Sequence, residues 1–208
     1  MRKIIAILRG ITPQEVCTIA EILIQNGINI IEVPLNSPNA LQSIESMVNS
    51  FGKDGIFGAG TVINKEQVQD VYNCGGRIIV SPNCDVDVIR ETKARNLLSY
   101  PGVFTVSECF SALNNGADGL KFFPSILLKP EGYQSVKAVL PADCNSYAVG
   151  GVDKENFANW FRVGMTGFGV GSSIYKIGDT PQQVFEKTKS LVTAFDAASS
   201  HIFDQEIK

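Results

Sequence analysis

Short apolar runs alternate along the chain with longer stretches in which apolar positions recur every three to four residues. The runs are IIAIL (4–8), INIIEV (28–33), GIFGAG (55–60), RIIVSP (77–82), LLSYPG (97–102), DGLKFFP (118–124), NSYAVGG (145–151) and TGFGVGSS (166–173). Runs this short and apolar read as strands covered on both faces, and the periodic stretches between them read as amphipathic helices. Helix punctuation supports the division. Thr12 can cap a first helix with Pro13 at its first position and Gly27 at its end, and Ser37-Pro38 and Gly52 bracket a second. A third follows from Asn64, and a fourth ends near Arg95. Thr105 and Glu108 form a capping-box pair at the start of a fifth. Further helices are expected over about 130–139, from Asp153 and from about Pro181.

Eight strand–helix units follow, with strand ends at Arg9, Glu32, Gly60, Pro82, Pro101, Lys121, Gly150 and Gly171 and no Pro/Gly-rich linker between them. Regular β-α alternation implies a parallel sheet. Eight repeats favour its closure into an α/β (β/α)₈ TIM barrel, a single domain over residues 1–208, with an open doubly wound sheet as the structural alternative. From about residue 197 the chain is polar and is expected to finish the last helix or fray. A barrel carries its functional residues where strands end. Arg9, Glu32, Thr61, Lys121, Gly150, Gly151, Gly171 and Ser172 all finish or follow a strand.

Composition narrows the chemistry. At 208 residues and 44% hydrophobic content the chain can bury a full core, and a formal net charge of −3 argues against a nucleic-acid binder. No window is long and apolar enough to span a membrane. The N-terminal MRKIIAILRG reads as a buried first strand, its apolar run being too short for a signal peptide. The five cysteines are scattered and include no C-x-x-C, as expected of unpaired thiols in a reducing cytoplasm. The one histidine, His201, lies in the polar C-terminal stretch. Metal hydrolases and Ser-His or Cys-His pairs need a placed histidine, so the chemistry falls to Lys, Glu, Arg, Thr or backbone groups.

Lys121, crowded by apolar neighbours in GLKFFPS, is the candidate nucleophile. Apolar surroundings disfavour the ammonium, and a free amine condenses with a ketone. The alternative is a rim lysine paired with a carboxylate. On a strand Phe122 and Phe123 face opposite ways, and Phe123, two residues from Lys121, is expected to wall the amine. Glu32 ends an Ile/Val strand, where a carboxylate needs a reason: acid–base work, or an ion pair with Arg9 or Lys121. Arg9 can hold a carboxylate bidentately or serve as a rim ion pair. Thr61, after GAGT's two glycines, can bind a carboxylate oxygen or cap a helix. The clusters AVGGV and GFGVGSS, each read as preceding a helix, can offer amides to a phosphate. The second lacks the third glycine of a dinucleotide fingerprint.

Taken in order, ILRG, IEVPLNSP, GAGT, VSPN, YPGV-x-T-x-SE, LKFFPS, AVGGV and GVGSS resemble the 2-keto-3-deoxy-6-phosphogluconate/galactonate aldolase family of class I barrels, over about residues 3 to 195. The resemblance implies Lys121 as the Schiff-base lysine and Glu32 as general acid–base. It implies Arg9 and Thr61 as pyruvate-carboxylate contacts, and Gly150, Gly151, Gly171 and Ser172 as the phosphate site. Pro82, Phe123 and Val149 join the candidate substrate contacts. It further implies a homotrimer, a sugar-acid phosphate substrate, and no metal or organic cofactor. Asn36 stands where some gluconate-type members carry arginine, so Arg9 must supply the guanidinium. Val149 stands where they often carry threonine, which removes a hydroxyl that could meet the sugar C4 hydroxyl, the epimeric centre. The AILRGITP, VPLNSP and AVGGV stretches resemble the galactonate-type branch. The gluconate epimer as main substrate, a phosphate-binding isomerase or epimerase, and a non-catalytic sugar-phosphate sensor are the alternatives.

Overall fold

A computed structural model describes residues 2–203, with side chains through Ser200; the His201 side chain and residues 204–208 lie outside the described residues. Parallel strands β1 (Ile4–Ile7), β2 (Ile30–Pro34), β3 (Ile56–Gly60), β4 (Ile78–Val80), β5 (Leu98–Tyr100), β6 (Gly102–Val103), β7 (Leu120–Phe122), β8 (Ser146–Val149) and β9 (Gly167–Val170) form one sheet in the order β5-β4-β3-β2-β1-β9-β8-β7-β6. The two edges are consecutive in the chain. Pro101, which lacks an N–H for the ladder, divides the fifth strand into β5, paired with β4, and β6, paired with β7. The barrel thus closes through residues 98–103. Eight strands were expected, and the ninth is this division.

Helices α1 (Val16–Gln25), α2 (Ala40–Phe51), α3 (Lys65–Asn73), α4 (Val86–Ala94), α5 (Val106–Asn114), α6 (Ser125–Lys137), α7 (Phe157–Arg162) and α8 (Pro181–Phe203) connect the strands. The polar stretch from Ala197 continues α8 as far as Phe203. The Thr105–Glu108 capping box forms in both directions, and Asn64 caps α3 through the Gln67 amide. Elsewhere the punctuation differs from expectation. The Thr12 carbonyl accepts from Val16, but its amide and hydroxyl donate to the Glu15 carboxylate, and regular helix begins only at Val16. The Ser37 hydroxyl accepts from the Gly10 amide at 2.9 Å and caps nothing. A helical turn from Ser125 precedes Lys129, whose φ of 59° interrupts α6 just before Pro130, so the expected 130–139 helix forms the second part of α6.

Strand alternation sorts side chains into two buried clusters. Ile4, Ala6, Ile31, Val33, Leu120, Phe122 and Phe168 face the helices. Ile5, Ile30, Ile78, Val80, Tyr100 and Tyr147 fill the barrel interior, where Tyr100 and Tyr147 meet edge to face at 5.2 Å. With a period of two, Glu32 follows Ile30 and Lys121 sits between outward Leu120 and Phe122, so both enter the barrel above this floor.

Candidate active site

Glu32 and Lys121 are the two charged side chains buried among the described residues, 1% and 7% exposed. Their strands put them there: Glu32 is level with Ile7 of β1 and Gly58 of β3, and Lys121 with Gly102 of β6 and Tyr147 of β8. Neither belongs to an ion pair among the described residues, so the rim ion pairs considered for Lys121, Glu32 and Arg9 do not form. Glu32 Oε2 is buried with no hydrogen-bond partner there. A charge so placed is costly. Burial pushes the Glu32 carboxyl up to about 7, against the pull of the Lys121 and Arg9 charges. Burial also pushes the Lys121 ammonium down from its ordinary value, with Arg9 adding to the effect and Glu32 opposing it.

Both groups open on a cavity of about 470 Å³ at the C-terminal ends of the strands. It is lined by every candidate: Arg9, Glu32, Thr61, Pro82, Lys121, Phe123, Val149, Gly150, Gly151, Gly171 and Ser172. Hollows of about 590 and 640 Å³ at the opposite end of the barrel are larger, but none of their lining residues is a buried charged side chain. Lys121 Nζ lies 5.0 Å from the Phe123 ring centroid. Phe122, fully buried, packs instead on Tyr133.

Of the two glycines of GAGT, Gly58 packs against Ile78 of β4 and Gly60 serves the carboxylate. A Cβ at Gly60 would overlap the Glu32 carboxyl group, so glycine here makes room for it. Thr61 then takes a φ of 58°, a strained conformation for a β-branched residue. Asn64, not Thr61, caps the following helix. Arg9 Nη1 donates to Asn36 Oδ1 at 2.6 Å.

At the other end of the cavity Gly150 and Gly151 adopt φ of 91° and 82°, which other residues resist. Ser172 lies in a single turn, in which Ile174 and Tyr175 donate to the Gly171 carbonyl. Neither glycine cluster leads directly into a helix, since α7 begins at Phe157 and α8 at Pro181. Any anion there meets turn amides and not a helix N-terminus. Tyr175, Lys176 and Ile177 line the same wall and were not foreseen from sequence. They lie between β9 and α8, where no periodicity marks them; the only hint was a lysine soon after a glycine cluster. Lys176 forms no ion pair among the described residues. No grouping of metal-ligating side chains occurs among the described residues, and no helix there is long and apolar enough to cross a membrane.

A buried amine with a carboxylate beside it, a guanidinium at the rim and an amide-lined far end can form and break carbon–nitrogen bonds to a ketone and move protons nearby. Known proteins carry a similar chain. It is 43% identical over 196 residues, 94% of its length and 92% of the relative's, to the probable 2-dehydro-3-deoxy-6-phosphogalactonate aldolase of Rhizobium meliloti (strain 1021). It is 40% identical over 195 residues, 94% of its length and 95% of the relative's, to the 2-dehydro-3-deoxy-6-phosphogalactonate aldolase of Escherichia coli (strain K12). A solved native KDPGal structure superposes with a TM-score of 0.93 at 40% identity over 95% of this chain and 96% of that one. A cube-shaped protein cage, designed by fusing symmetric oligomeric domains, superposes with a TM-score of 0.96 at 38% identity over 99% of this chain and 76% of that one. The model of the KDPG and KHG aldolases matches residues 1–188, and with it the barrel and the whole cavity lining, so the chain belongs to the KDPG and KHG aldolase family.

Proposed function

We propose that the chain is a class I aldolase cleaving 2-dehydro-3-deoxy-6-phosphogalactonate to pyruvate and D-glyceraldehyde 3-phosphate. The observation that carries the reading is Lys121: buried, without an ion pair, its ammonium disfavoured, and facing the same cavity as a buried glutamate. In this reading the Lys121 amine adds to the C2 ketone, and loss of water leaves an iminium. Arg9 and Thr61 hold the substrate carboxylate at that end. Glu32 takes the C4 hydroxyl proton and the C3–C4 bond breaks. The bonding pair passes into an enamine, and the aldehyde leaves with the phosphate held near Gly150, Gly151, Gly171 and Ser172. Protonation of the enamine at C3 and hydrolysis of the iminium release pyruvate and restore the amine.

The galactonate epimer is favoured by the two named relatives and by Val149, which offers the cavity no hydroxyl. A site lacking that donor rejects the other epimer weakly, so some cleavage of the gluconate epimer accompanies the main reaction. Borohydride with pyruvate tests the chemistry. Reduction should fix pyruvate on Lys121, and labelling of Lys121→Ala at wild-type stoichiometry would overturn the assignment. Pyruvate release measured on both epimers tests the substrate, and a tenfold preference for the gluconate epimer would reverse it.

A homotrimer acting in the cytoplasm completes the reading. Unpaired thiols support the compartment. Exposed Ile126 and Leu127 (62% and 69%), with Phe104 and Phe110 also exposed, support a subunit interface, as does the likeness to a chain built from symmetric oligomeric domains. Light scattering should give three times the mass of the chain.

A further inference from the structure

Unlike Glu32 and Lys121, Arg9 is not held by a strand. It follows β1 by two residues, its side chain is solvent-exposed, and a long exposed guanidinium samples many rotamers. Three successive residues from Leu8 are nevertheless tied to β2 and the loop after it. The Leu8 amide donates to the Glu32 carbonyl at 3.0 Å, Arg9 Nη1 to Asn36 Oδ1 at 2.6 Å, and the Gly10 amide to the buried Ser37 hydroxyl at 2.9 Å. The middle tie is the only one of the three that a side chain of this segment donates. Asn36 itself does not line the cavity, and its carbonyl oxygen carries no charge to offset that of the guanidinium.

We propose that Asn36 is a positioning residue, acting through Arg9 to hold the guanidinium at the Lys121 end of the cavity for the carboxylate of an incoming 2-keto acid. The proposal rests on the aldolase reading above. An uncharged acceptor suits the task. It occupies one Nη while leaving the remaining donors and the full positive charge for the substrate, whereas a carboxylate at this position would compete with the substrate for the same cation. The gain is preorganisation, so it belongs in the affinity for the keto acid more than in the rate of the chemistry once bound.

The test is a double-mutant cycle read by borohydride trapping across a range of pyruvate concentrations. Asn36→Ala should raise the half-saturating pyruvate concentration about tenfold, while the trapping rate at saturation falls less than about threefold. In an Arg9→Ala background the same substitution should change half-saturation by less than about twofold, because its partner is gone. Asn36→Asp keeps an acceptor in place, so an increase there as well would identify the charge left on Arg9 as what the substrate uses. A shift of the same factor with and without Arg9 overturns the proposal, as does wild-type half-saturation in Asn36→Ala. Absence of any adduct in the wild-type protein would instead overturn the aldolase reading.

Discussion

Because burial carries the Glu32 carboxyl to about 7, the folded protein binds a proton there that the unfolded chain, titrating near 4.5, has already released. Between those values the folded state holds more protons, so this group's contribution to stability is full below about 4.5 and is lost as pH rises through about 7. Unfolding free energy of the wild type should decline across that window by a few kcal/mol, since each tenfold difference in proton affinity is worth about 1.4 kcal/mol. In Glu32→Gln that part of the decline should vanish, and denaturant titrations at pH 5, 6, 7 and 8 would show it. Equal slopes in the two proteins would mean that the carboxyl is not perturbed. Activity should follow the opposite course, rising as Glu32 ionises and becomes a base. Gly60 enforces the same placement sterically. A methyl group there collides with the Glu32 carboxylate, so Gly60→Ala should displace the base and leave Lys121 where it is. The expected result is a loss of about 100-fold in kcat for cleavage with trapping of pyruvate retained.

Elements show where a linear sequence speaks clearly and where it is silent. The apolar runs located the eight expected strands, because a strand covered on both faces must be apolar throughout. They did not show the break of the fifth at Pro101, nor that β2 runs past Glu32 to Pro34 and β7 past Lys121 to Phe122. Period-two alternation also separated Phe123 from Phe122. The same alternation put Glu32 and Lys121 inside one barrel, yet nothing in the sequence could say that they escape ion pairing, which depends on the space between strands. Helix starts were less legible. Thr12 and Ser37 look like caps, but each is drawn into other partners, Thr12 by Glu15 and Ser37 by Gly10. The Tyr175–Ile177 wall was silent, as it lies in no regular element. The Thr105 cap, by contrast, was legible because both halves of its box lie within four residues. Thr105→Ala should therefore cost about 1 kcal/mol and lower the melting temperature by a few degrees. Calorimetry checks this, with cleavage kinetics expected to stay at the wild-type level.

Across the whole molecule the cavity has two chemically different ends. One, formed where β1, β2 and β7 finish, gathers Arg9, Glu32 and Lys121; the other, where β8 and β9 finish, offers glycine amides, Ser172 and Lys176. Under the proposed function the keto acid of the substrate meets the first end and its phosphate the second. Amides in open turns bind a phosphate by hydrogen bonds, but a dianion entering from water also gains from a full positive charge. Lys176 is the cation lining that end: its ammonium is unpaired among the described residues, while its own backbone amide is fixed by the Asp179 carboxylate at 2.7 Å. Lys176→Met should therefore reduce the preference for a phosphorylated substrate over the same sugar acid without phosphate, by about tenfold in the ratio of kcat/KM values. Lys176→Arg should recover most of that ratio. Because the charge meets the solvent, raising salt should erode the wild-type preference and leave that of Lys176→Met nearly constant. An unchanged ratio in Lys176→Met would leave phosphate recognition to the turns at the ends of β8 and β9 alone.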